Sequence, residues 1–199
     1  MNMKKGCLIA VAVAVVVAIA CYSWVKGTYN DMVKSDENVK AVWSNVETQY
    51  QRRADLIPNL VATVKGYASH ESETLEAVVA ARSKATQVTI DPSNMTAEQL
   101  KEYQAAQGEL STALGKLIAI TEAYPDLKAN ENFQELQAQL EGTENRINEA
   151  RREYNEAVKS FNTQIRQFPT NILAGMFNFS TREGFAAEAG AEKAPTVEF

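Results

Sequence analysis

Two stretches of three-and-four periodicity, separated by a single proline, constrain this chain more than anything else in it. Val39, Val42, Trp43, Val46, Tyr50 and Ile57 recur at helical spacing on one side, and Leu60, Val61, Val64, Tyr67, Leu75, Val78 and Val79 do so on the other. Pro58 stands between them. A proline donates no N–H and pushes its predecessor out of the α region. The spacing therefore predicts one helix ending near 55–57 and a second with Pro58 in its first turn, capped by Asp55.

The pattern continues in both directions. Residues 28–55 contain neither Pro nor Gly, and the second helix carries one glycine, Gly66, which costs about 1 kcal/mol against alanine. It marks either a close helix contact or a tolerated defect. Asp91-Pro92-Ser93-Asn94 is a turn signal. Thr96 followed by Gln99 is a capping-box pattern that starts a third helix, whose stripe of Leu100, Tyr103, Leu110, Leu114, Leu117 and Tyr124 is stopped by Pro125. Asn132 with Glu135, or Asn130, opens a fourth. It carries Phe133, Leu136, Leu140, Ile147, Tyr154, Val158, Phe161, Ile165 and Phe168 and ends at Pro169.

Helices at about 28–56, 58–87, 96–124 and 131–168 would each be about 37 Å or longer. The simplest way to bury their stripes is an all-α, antiparallel, up-and-down four-helix bundle. Before it, Lys4 and Lys5 precede an apolar run over 7–25 in which only Ser23 is polar. About 19 helical residues reach about 28 Å, close to the hydrocarbon thickness of a bilayer, and Tyr22 and Trp24 fall where an aromatic belt belongs. The expected division is an anchor over 1–27, a bundle over 28–169, and an apolar cap segment with a loose tail over 170–199. Two competing readings of the apolar run stay open: a cleaved signal peptide ending at Ala18-Ile19-Ala20, and a lipoprotein anchored at Cys21. Lys26, Lys34 and Lys40 oppose Lys4 and Lys5 across the run, and the short basic tail favours a single-pass chain with its soluble domain outside the cytoplasm.

Composition removes several classes of function. In 199 residues, Lys+Arg 20 against Asp+Glu 25 gives a net charge of -5 with no clustered basic excess, which argues against nucleic acid. Both cysteines, Cys7 and Cys21, lie in the apolar run about 21 Å apart along a helix, too far to bridge. The one histidine, His70, could form a zinc site only with carboxylates such as Glu71 and Glu73, an unusual ligand set. Neither a Ser-His-Asp nor a His-Glu-x-x-His arrangement is present, and the Glu-x-x-His pairs of di-metal bundles are missing. We expect no catalytic residue, metal or cofactor.

The informative polar residues are charges that fall on apolar stripes: Arg53, Glu71, Glu144 and Arg151. They form either a polar layer inside the bundle, where burial demands pairing, or a stripe edge that snorkels to water. Ile172, Leu173, Met176, Phe177 and Phe179 make an apolar cluster, which either caps the open end of the bundle or offers a patch to a partner or the bilayer.

Several motifs occur together. They are Gln-Tyr-Gln-Arg-Arg-Ala-Asp-Leu-Ile-Pro-Asn-Leu at 49–60, Lys65-Gly66-Tyr67, His70-Glu71, Ala81-Arg82, Glu-Ala-Tyr-Pro-Asp-Leu-Lys-Ala at 122–129, Gly-Thr-Glu-Asn-Arg-Ile at 142–147, Arg151 with Tyr154-Asn155, and Phe168-Pro169. Together they closely resemble the LemA family of bacterial membrane-anchored helical proteins, over nearly the whole chain. The resemblance implies location in a bacterial membrane. The function expected on this basis is a non-catalytic protein-interaction or envelope-organising module. Its partners would be other membrane or envelope proteins, with homo-oligomers also possible. The alternative is a sensor or small-ligand-binding module that uses the charged layer.

Overall fold

The structure is a computed structural model that describes the backbone of residues 3–186 and the side chains of 8–186. Those residues are helical, with no strand among them, and hold six helices: α1 (Met3–Tyr67), α2 (Ser72–Gln87), α3 (Ala97–Thr121), α4 (Pro125–Lys128), α5 (Glu131–Arg166) and α6 (Thr170–Met176). The apolar run is part of α1 and continues without a break into the first periodic stripe.

The proline corner expected at Pro58 is not there. Helix α1 passes through Pro58 and ends nine residues later, and the break falls over 68–71. A proline inside a helix leaves the carbonyl four residues earlier without its donor. Here that carbonyl is Ala54 O, and it accepts a hydrogen bond from Arg82 Nε of α2 at 2.7 Å. Continuity also keeps Ile57, Leu60 and Val64, all fully buried, on one core-facing stripe that a corner would have rotated apart. Asp55 accordingly caps nothing and accepts from Gln51 Nε2 one turn back in the same helix. The real junction is closed by Ala68 N donating to Val64 O and Glu71 N to Ala68 O, with Glu71 in the N-cap position of α2. Gly66 sits in the last turn of α1, and a Cβ built on it would meet nothing within 4 Å, so it marks no close contact.

The remaining boundaries follow local chemistry. Thr96 Oγ1 accepts from Gln99 N while Gln99 Oε1 accepts from Thr96 N, which is the reciprocal capping box at the start of α3. Asp91 Oδ1 accepts from Ser93 N and its carbonyl from Asn94 N, closing the turn before it. Helix α3 ends at Thr121, and Pro125 opens the single turn of α4, whose Leu127 is fully buried. Asn130, not Asn132, caps α5, with Phe133 N donating to its Oδ1 at 3.0 Å.

The chain divides into two compact units. Among the described residues, one comprises 3–39 with Ala157–Arg182, and the other comprises Lys40–Glu156 with residues 183–186. In the larger unit Leu60, Val64, Val78, Leu110, Leu117, Leu127 and Phe133 form the apolar core, and Trp43 is enclosed by the rings of Tyr103, Tyr154 and Phe185. A loose tail is expected after the apolar cluster, and its residues from 187 lie outside the described ones. Before that point the tail is held: Asn155 accepts from Phe185 N at 2.8 Å and donates to its carbonyl at 3.1 Å, and Tyr154 donates to Glu183 O. The smaller unit uses the same device, Asn162 pairing with both backbone groups of Arg182 at 2.8 Å. There Arg182 also makes an ion pair with Asp36 at 2.7 Å.

Arg82→Met keeps the aliphatic stem and removes the donor. It is expected to lower stability by about 1.5–3 kcal/mol, because Ala54 O is left without a partner. In a Pro58→Ala background the alanine N–H restores the ordinary helix bond, so most of that loss should vanish. Denaturant melts of the four chains in the double-mutant cycle check this, and additive losses would refute the assignment.

Candidate functional site

Buried polar chemistry in the larger unit centres on Arg53. Its position on the α1 stripe, one helical step after Tyr50, turns a cation into the core, where the side chain is 2% exposed. A guanidinium has five N–H groups and accepts nothing, so burial is tolerable only where acceptors converge on it. They do converge. Arg53 Nη1 donates to Ser111 Oγ at 2.7 Å and to Glu144 Oε2 at 3.0 Å, and Nη2 donates to Gln107 Oε1 at 2.7 Å and to the Gln107 carbonyl at 3.2 Å. Nε is buried without a partner in hydrogen-bond geometry. Gln107 relays the network, since its Nε2 donates to Ala85 O at the end of α2. Helices α1, α2, α3 and α5 are thereby joined through polar atoms alone.

Of the four charges singled out from the sequence, Arg53 and Glu144 are brought together and the other two are placed elsewhere. The Glu144 side chain is 46% exposed, so the pair stands at the core boundary. Glu71, at the α1–α2 junction, accepts from Tyr124 Oη at 2.9 Å, and that hydrogen bond is the main cause pushing the Tyr124 phenol upward. The Arg151 guanidinium lies 5.0 Å from the centre of the Phe185 ring. His70 is exposed. Among the described residues no group of three His, Cys, Asp or Glu is placed to hold a metal ion.

Sequence reasoning passed over Gln107, Ser111 and Glu47. The first left a signal: Gln107 interrupts the α3 stripe at a helical step after Tyr103 and before Leu110 and is buried. Beside the Arg53 network opens a cleft of about 120 Å³, lined by Glu47, Tyr50, Tyr103, Gln107, Thr86 and Thr89 among others. The Tyr50 and Tyr103 rings meet edge to face at 5.4 Å, and Arg53 lies 5.1 Å from the Tyr50 ring centre. Burial pushes the Glu47 carboxyl above its ordinary value. Trp43, one helical turn earlier, works against that shift. Burial also drives the Tyr103 phenol strongly upward, and the neighbouring Tyr50 and Glu47 add to it. The cleft thus offers aromatic walls, one carboxylate and neutral donors, a lining that suits a small cation rather than an anion.

The apolar cluster after α5 divides between two environments within the smaller unit. Leu173 is buried, whereas Ile172, Met176 and Phe177 are exposed, and Phe179 is half-buried. Phe177 and Phe179 both meet Tyr29 of α1 edge to face, at 4.8 and 5.9 Å.

Two substitutions separate the members of the Arg53 network. Gln107→Leu removes the side-chain acceptor of Arg53 Nη2, leaving it only the backbone carbonyl of residue 107, and takes the donor from Ala85 O, and is expected to cost about 2–3 kcal/mol. Glu144→Gln keeps a hydrogen-bond acceptor at a half-exposed position and is expected to cost under about 1 kcal/mol. Chemical denaturation of the two variants checks the order. Glu47 gives a pH test. Its pKa is raised in the folded chain, so the folded state binds more protons than the unfolded one from pH 4.5 upward, and stability falls as pH rises through that window. Glu47→Gln should therefore raise the melting temperature at pH 7, with the gain disappearing by about pH 4.

Comparison with known proteins gives relatives of this chain. The chain is 27% identical over 174 residues to magnetosome protein MamQ 2 of Paramagnetospirillum magneticum, an alignment covering 79% of this chain and 64% of that protein. It is 27% identical over 160 residues to magnetosome protein MamQ of Magnetospirillum gryphiswaldense, covering 72% and 59%. To protein LemA of Metamycoplasma hominis it is 26% identical over 128 residues, covering 64% and 55%. The chain thus spans less than two thirds of the length of each of these relatives, and their names are not those of enzymes. The relatives and the apolar helix together support membrane association. The family model for the LemA family matches residues 42–199, most of the chain and all of the larger unit's buried network: this protein belongs to the LemA family.

Proposed function

We propose that the chain is a single-pass, membrane-anchored module that works through protein contacts rather than catalysis, in the organisation of a bacterial envelope. Residues 1–27 form its anchor. Residues 28–169 form an up-and-down bundle, with α1 beyond the anchor, α2, α3 and α5 as its long members. Residues 170–199 supply the apolar cap segment and the tail. One observation carries the reading: α1 holds an 18-residue apolar window of mean hydropathy 2.6, none of it buried, in the same helix that delivers Trp43 and Arg53. Apolar surface of that extent left uncovered in water is strongly unfavourable, and a bilayer removes the cost. Arg53, Gln107 and Arg82 tie α1 to α2 and α3 through hydrogen bonds, which supports a structural use for them. Relatives named for the magnetosome, and not for a reaction, support the same reading.

A second reading has its own observation. The cleft at Glu47, Tyr50 and Tyr103 holds a carboxylate against burial beside the Arg53 network, which favours a sensor or small-ligand module for a small organic cation. That reading requires a rise in melting temperature with added amine, abolished in Glu47→Gln.

Intact mass of the membrane-extracted protein, combined with protease accessibility of the domain from each side, tests the anchored reading. A full-length mass with cleavage from outside alone is the expected result. A mass beginning at an acylated Cys21 would replace the transmembrane anchor with a lipid one, and an unmodified mass beginning after Ala20 would remove the anchor altogether. Protection from outside with an intact N-terminus would put the domain in the cytoplasm.

A further inference from the structure

We propose that the outer face of α6 is a second membrane contact, which lies in the headgroup layer of the leaflet from which α1 emerges. The proposal rests on the anchored reading above and concerns only the smaller unit.

The depth follows from arithmetic along α1. If the apolar run ends near Val25, Tyr29 stands four residues beyond the hydrocarbon, about 6 Å along the helix axis, and any tilt brings it closer. The interfacial layer on each side of a bilayer is roughly 5–8 Å thick. Tyr29 therefore sits within that layer. The Phe177 ring is 4.8 Å from the Tyr29 ring, so the C-terminal end of α6 is held at headgroup depth by direct packing.

The face α6 turns outward suits that environment. Leu173, 5% exposed, turns inward, while Ile172 and Met176, one helical turn apart, are 55% and 69% exposed, and Phe168 just before the helix is 82% exposed. From Gln167 to Thr181 the chain has no charged residue. In water three large apolar side chains on a short uncharged segment form a poorly solvated surface. In the interfacial layer the same side chains leave water and the missing charges are no loss. Without Lys or Arg on α6, attachment depends on apolar insertion and not on anionic lipid. A zwitterionic bilayer is sufficient.

The test uses the full chain with Cys7→Ser and Cys21→Ser, reconstituted at one copy per phosphatidylcholine nanodisc. A nitroxide is attached at Met176→Cys, at Lys159→Cys as a water-facing reference, or at Val16→Cys within the anchor. Collision of each label with oxygen and with a water-soluble nickel chelate reports its depth. The expected result is a loss of chelate collision and a gain of oxygen collision at 176 relative to 159, with 16 deeper still. If 176 matches 159 while 16 is shielded, the α6 contact is wrong and the anchor stands. If 16 is open to the chelate, the anchor fails and the α6 proposal fails with it. Shielding of 176 that requires two copies per disc would assign this face to a second chain and overturn the lipid contact.

Discussion

A carbonyl that lost its donor governs the helical domain. Pro58 removes one hydrogen bond from the middle of α1, and a helix so interrupted normally kinks or stops, at a cost of about 3 kcal/mol or more. Arg82 supplies the missing donor from α2, and its cationic N–H makes a stronger bond to Ala54 O than a neutral amide would. The defect thereby becomes a joint between two helices that are consecutive in the chain. The helix continues past Pro58, the stripe of Ile57, Leu60 and Val64 stays buried, and the helix break is deferred to Ala68 and Glu71.

One residue before that carbonyl, Arg53 applies the same logic with larger stakes. A guanidinium held at 2% exposure forces its neighbours to present acceptors, and Ser111, Glu144 and both acceptors of Gln107 do so. Gln107 then hands the constraint on to Ala85. Apolar side chains alone tolerate small sliding of one helix past another. A bidentate contact between guanidinium and glutamine does not, because a shift of one residue leaves buried donors unmatched. The cluster ties α1, α2, α3 and α5 together, and in the adjoining cleft burial works against the charged forms of Glu47 and Tyr103.

The smaller unit shows a different economy. Its buried polar link, Arg182 with Asp36, and the Asn162 clamp tie the chain after α6 to α1 and α5, and the aromatic contacts of Tyr29 hold α6 itself. Apolar atoms of α6 not needed for that packing are left facing outward. In a protein carried by a bare apolar helix, such a surface has a natural solvent.

Periodicity and end signals by themselves determined the helical class, the apolar N-terminal run, the capping box at Thr96 and Gln99, the turn at Asp91 and the stops near Pro125 and Pro169. Each depends on residues within a few positions of one another, and local sterics and hydrogen bonding settle such features wherever the chain goes. Arg53 was legible as a charge out of place on a stripe, and so was its need for a partner. Which partner was not, because Glu144, Ser111 and Gln107 lie 54 to 91 residues away. Glu71 and Arg151 carried the same sequence signal and went to Tyr124 and Phe185, since the stripe reports a face of the helix but not the height at which helices meet. Pro58 was misread for the same reason. Its local rule is to end a helix, and only the tertiary structure, by bringing Arg82 to Ala54 O across 28 residues, could overrule it.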